Sequence, residues 1–203
     1  MSPTNSSAFY LFKNSSIVAL ASGAGVACGL VLDVIILSVF GLSGQTDAFS
    51  AALTIPLIIG NIAKIQIPKL LIPVFTVHGT EYDESSAWEL LRNLLTTSFL
   101  FLAGICLLGT MLSGVIIPLQ VPGMEPHTIS LTIWLSRMLF GLVLLQGLGS
   151  IFHSVLYARH SYIVSSSGRV IVIVVTIVVV ILWHDHFGVW AIASGMLLGE
   201  FVH

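Results

Sequence analysis

The chain has 203 residues, of which 56% are hydrophobic and only 8% charged. A soluble domain carries about 25% charged residues, so a fold that covers itself with polar side chains in water is excluded. The formal net charge of −2 leaves no electrostatic footprint for a nucleic-acid partner. The two cysteines, Cys28 and Cys106, fall inside apolar runs without CxxC spacing. They read as small buried hydrophobes, not as a disulfide or metal ligands.

A membrane-spanning helix needs about 20 largely apolar residues, and about six segments meet or approach that length. The first is expected over about 16–41, after a polar, Ser/Asn-rich start, and is interrupted by Asp33. It is too long for the apolar core of a cleaved secretory signal, so it reads as a retained helix. The second, about 47–76, contains Lys64, Lys69, Pro56, Pro68 and Pro73, with Gly60 and Asn61 between them. Each proline removes a helix donor, so a bent or unwound helix is expected here. Broken helices at membrane depth often line a transport cavity. Residues 77–92, with Glu81, Asp83, Glu84 and Glu89, read as a solvated loop.

The third segment is uncharged from 93 to 124, and the fourth, about 129–157, contains Arg137. The fifth, about 163–183, holds the β-branched run 170–182. In water that run would suggest a buried strand, but in lipid an isolated strand leaves its backbone groups unpaired and a helix does not. The sixth begins near Phe187 and is still apolar at His203. The expectation is an all-α integral membrane protein: one bundle over 1–203, cut within its sixth helix. With the N-terminus cytoplasmic, Lys13, Arg92 and Arg159 fall on one side, and the opposite loops, 42–46, 120–128 and 184–186, hold no Lys or Arg. That asymmetry orients the bundle.

A charge at the centre of a spanning helix costs at least about 2.5–3.5 kcal/mol on insertion scales, so those present usually face a cavity or a counter-charge. The candidates are Asp33, Lys64, Lys69, Arg137 and Arg169. Four of the five are cationic, which suits an anionic ligand such as a phosphate or pyrophosphate. The alternatives are snorkelling of the long cations to the interface and, for Asp33, a helix-locking ion pair or a role in ion coupling. No P-loop, GxSxG or HExxH motif occurs, and His184-Asp185-His186 in an outer loop lacks a third ligand. An enzyme, a metal site or a bound cofactor is therefore not expected.

Gly41-Leu-Ser-Gly-Gln-Thr-Asp-Ala-Phe49, with Asp33 eight residues before it, resembles the start of helix two in the MurJ/MviN lipid II flippases. Ile55-Pro56, Ile72-Pro73-Val74-Phe75, Arg137-Met-Leu-Phe-Gly141, Leu156-Tyr-Ala-Arg-His160 and the Phe187–Gly199 stretch are similar to later signatures of that family. The resemblance implies one six-helix lobe of a MOP/MATE-like exporter in a bacterial plasma membrane. A second lobe and membrane lipids would be its partners. Its cargo would be a polyprenyl-pyrophosphate-linked sugar, flipped by alternating access for peptidoglycan or another envelope polymer. Arg137 matches a family basic position. Leu32 stands where the family has arginine, Gly60 and Asn61 stand where it has a basic pair, and the following E-G-A motif is absent. These departures keep open a polysaccharide-unit or multidrug exporter, or a degenerate, non-transporting homologue. Lys64, Lys69 and Arg169 are then candidates for a relocated cationic lining.

Overall fold

The computed structural model describes residues 3–81, 84–158 and 162–202. They form six helices: α1 (Pro3–Phe40), α2 (Gly44–Glu81), α3 (Glu84–Gln120), α4 (Pro126–Ala158), α5 (Tyr162–Phe187) and α6 (Trp190–Val202). No strand occurs among the described residues. Five helices contain stretches long and apolar enough to cross a membrane: Gly23–Phe40, Gly44–Lys69, Arg92–Gln120, Pro126–Leu156 and Gly168–Phe187. The 13 residues of α6 give about 20 Å of helix, short of the hydrocarbon core.

Several boundaries differ from the sequence expectation. The first helix starts at Pro3, so the polar residues before 16 extend it. The expected 77–92 loop is helical on both sides of 82–83, and α5 continues through His184-Asp185-His186, which occupy its last turn and not a loop. Polar helix is stable beyond an apolar span because it propagates from a turn already formed. Nor is α2 unwound: it is continuous through Pro56, Pro68 and Pro73. Asp83 and Arg159 lie outside the described residues.

The turn between α1 and α2 explains the Gly41–Phe49 motif. Gly41, at φ 64°, takes the left-handed conformation that ends a helix, and its N–H donates to Leu37 O at 3.0 Å. The Thr46 hydroxyl donates back to Gly41 O at 2.9 Å, and Asp47 places a carboxylate in the first turn of α2, where the helix dipole favours it. Ala48 and Phe49 then enter the core. The other two described turns close at the same end: a Cβ at Gly44 would lie 3.5 Å from Thr128 Oγ1, and one at Gly188 would lie 3.5 Å from Gln45 Oε1.

Helix α4 is the hub, packed against α2, α3 and α6, while α1 is held mainly by α5. The main core joins Ile36, Phe49, Leu135, Leu139, Leu142, Val180 and Ile192; a second cluster joins Leu102, Phe140 and Val143. The interior is also polar: Ser113, Thr132, Ser136, Gln146, Ser150, Ser154, Thr176 and Glu200 are buried. Outside, Leu30, Leu100, Phe101, Met111, Leu119 and Phe201 are exposed. Apolar outside and selectively polar inside is what a lipid solvent requires. Buried hydroxyls satisfy themselves on their own helices, as Thr132 does on Thr128 O (2.7 Å), Ser154 on Ser150 O (2.6 Å) and Thr176 on Val172 O (2.8 Å).

Close approach of α5 and α6 depends on Gly195 and Gly199, a small-xxx-small pair. A Cβ at Gly199 would meet Val172 O at 2.7 Å and Val172 Cα at 2.9 Å, backbone atoms that cannot rotate away. Gly199→Ala is therefore expected to destabilise the bundle by about 1–3 kcal/mol, read as a lower unfolding temperature in detergent. Gly114→Ala, where a Cβ meets nothing within 4 Å, is expected to leave the transition unchanged or raise it, because alanine favours helix.

Candidate functional site

One charged or amide group from each of α2, α4 and α6 meets the others at a single place. Lys64 Nζ donates to Glu200 Oε1 at 2.5 Å, and Gln146 Nε2 donates to the same oxygen at 2.9 Å. The Glu200 side chain is 5% exposed and that of Lys64 38%. The carboxylate is thus an interior group, while the Lys64 side chain is partly exposed. On the packed side, the Gln146 amide lies over Gly60, where a Cβ would stand 2.0 Å from Gln146 Oε1. Gln146 Oε1 is buried and has no hydrogen-bond donor among the described residues. On the open side of α2, Ile58, Asn61, Ile65 and Lys69 are exposed.

The described contacts join none of the five expected site residues to another. Arg137 is half-buried between α3 and α4; its Nε donates to Ser113 Oγ at 3.2 Å and its guanidinium stacks 4.9 Å above the exposed Trp134 ring. Arg169 is exposed on α5, its aliphatic stem against Gly25 of α1. Lys69 is exposed, and so is Asp33, for which no ion pair occurs among the described residues. His184 Nε2 contacts Asp185 Oδ1 at 3.2 Å, and no group of three metal-ligating side chains occurs among the described residues.

Sequence reasoning missed Glu200 and Gln146. The signal was present, since a carboxylate inside an apolar helix is costly unless paired, but Glu200 reads as part of a chain end. Its depth becomes evident only when Gly199 seats against Val172. An ion pair within the bundle does occur, between Lys64 and Glu200.

The sequence profile of the lipid II flippase MurJ family matches residues 36–203. The chain belongs to that family. It is 26% identical over 179 residues to the "Probable lipid II flippase MurJ" of Buchnera aphidicola subsp. Acyrthosiphon pisum, covering 86% of this chain and 35% of that protein. It is 27% identical over 170 residues to the protein of the same name from Synechocystis sp., covering 82% of this chain and 31% of the relative. The chain thus spans about a third of the length of the relatives it matches. Family membership and five apolar spans make it a multi-pass bacterial membrane protein. Asp33 falls outside the matched stretch.

If Lys64 and Glu200 act as a pair, their effects on stability are strongly non-additive. Lys64→Met alone removes the ammonium from beside a buried carboxylate and is expected to cost about 1–3 kcal/mol. The Lys64→Met, Glu200→Met double variant is expected to cost at least about 1 kcal/mol less than the sum of the singles, measured by unfolding of the purified protein in detergent.

Proposed function

We propose that these helices form one lobe of a flippase that moves a polyprenyl-pyrophosphate-linked sugar from the cytoplasmic to the outer leaflet of a bacterial plasma membrane. The observation that carries this reading is the family match over residues 36–203. The chemistry supports it: Lys64, Lys69, Arg137 and Arg169 place positive charge within or at the ends of apolar spans. An ammonium or guanidinium there is suited to the phosphates of an anionic lipid head group. In this reading the open face of α2, carrying Asn61, Lys64 and Lys69, lines an aqueous cavity against a second lobe. The N-terminus is cytoplasmic, with Lys13, Arg92 and Arg159 on that side, in keeping with the positive-inside rule.

A related exporter with a different head group is a second reading, and one contact favours it. Position 60, where the resemblance places a basic residue, is glycine with the Gln146 amide lying over it, so a larger side chain there would have to displace the end of Gln146. Cationic contacts are therefore rearranged in this chain, with Lys64 one turn further along the helix.

Binding of undecaprenyl-pyrophosphate-linked disaccharide to the purified protein, followed by native mass spectrometry, tests the proposal. Saturable binding is expected, weakened at least about tenfold in the Lys64→Ala, Arg137→Ala double variant, since each charged hydrogen bond contributes about 1.5–3 kcal/mol. Absence of saturable binding to the native protein would overturn it.

A further inference from the structure

We infer that Glu200 is a built-in counter-anion for Lys64, occupying the place that a phosphate oxygen of an anionic lipid head group takes when it binds; this rests on the flippase reading above. Three features of the site lead to it.

The first is the unequal exposure of the pair. Glu200 is held inside the bundle while the Lys64 side chain is 38% exposed, so a flexible lysine stem can carry its ammonium from the fixed carboxylate toward the open face of α2. The second is what happens to Glu200 when Lys64 leaves. Gln146 Nε2 already donates to the same carboxylate oxygen at 2.9 Å, so the amide continues to support the anion after the ammonium has moved. Gln146 fits there because position 60 is glycine: a Cβ at that position would stand 2.0 Å from its Oε1.

The third is the nature of the mobile partner. A lysine ammonium is a compact charge on a flexible four-carbon stem with three rotatable donors, and can exchange one acceptor for another without moving a helix. Arg137, whose guanidinium is held by Ser113 and the Trp134 ring, has no such freedom.

The consequence is selectivity. A ligand must offer Lys64 more than Glu200 does before it binds, and its apparent affinity is reduced by the fraction of protein in which Lys64 is released. A pyrophosphate, with its higher charge and several oxygens, meets that condition. The zwitterionic head groups that dominate the surrounding bilayer do not. Glu200 thus acts against the wrong lipid, which is specificity by exclusion.

The test uses undecaprenyl pyrophosphate and the purified protein in nanodiscs of zwitterionic lipid. Dicyclohexylcarbodiimide is expected to couple the Lys64 amine to the Glu200 carboxylate in the native protein, detected as a cross-linked peptide pair, and saturating ligand is expected to suppress that product. Glu200→Gln is expected to bind the ligand about tenfold more tightly, as loss of one charged hydrogen bond implies, and Lys64→Gln to bind it more weakly than the native protein. A cross-link that persists undiminished at saturation, its absence without ligand, or binding by Glu200→Gln no tighter than native overturns the counter-anion role. The cross-linking arm needs no variant, so a Glu200→Gln protein that fails to fold does not protect the inference. Lack of ligand binding by the native protein overturns both this inference and the flippase reading; binding with an unaffected cross-link overturns only this one.

Discussion

A hydrocarbon solvent offers no hydrogen bonds, so every polar group of this chain must find its partner within the protein. Helices answer that demand for the backbone, and the hydroxyls of Thr132, Ser154 and Thr176 answer it by bonding to the turn below. What local structure cannot satisfy has to be satisfied between helices. In this bundle that requirement falls most heavily on Glu200, whose carboxylate ties α6 to α4 through Gln146 and to α2 through Lys64. The hub position of α4 and the seat of α6 are both consistent with this one buried charge.

Small residues make the arrangement possible. Gly199 brings the backbone of α6 against Val172, setting the depth of the neighbouring Glu200, and Gly60 opens the space that Gln146 enters. Larger side chains at either position would displace the groups that meet at the carboxylate. The same economy appears at the α1–α2 turn, where Gly41, Thr46 and Asp47 end one helix and begin the next within a few residues. The family signature around Thr46 therefore has a structural role in this chain.

Much of the architecture was legible from composition alone. A chain with 8% charged residues and repeated apolar runs had to be a helical membrane bundle, and the β-branched run in α5 was rightly assigned to helix by the lipid argument. Helix ends were less legible, because apolarity marks the span and not the helix: α1, α2, α3 and α5 all continue into polar sequence. The prolines of α2 suggested a break that the structure does not contain. Among the site residues, Lys64 and Arg137 were legible as costly intramembrane cations. The partnership of Lys64 with Glu200 joins residues 136 positions apart, a contact created by the packing of α2, α4 and α6 that no local spacing encodes.

In the proposed flippase the open face of α2 meets water, whereas the similarly exposed face of α3 meets lipid. Single cysteines at Asn61 and Lys69 on α2, and at Met111 and Val115 on α3, separate the two environments when placed in a Cys28→Ala, Cys106→Ala background. Labelling with a small, membrane-impermeant charged maleimide in membranes containing the protein, with both sides of the membrane open to reagent, is the measurement. Modification at 61 and 69 and none at 111 and 115 is the expected result. Equal protection of all four positions would place α2 in lipid and contradict a cationic transport cavity.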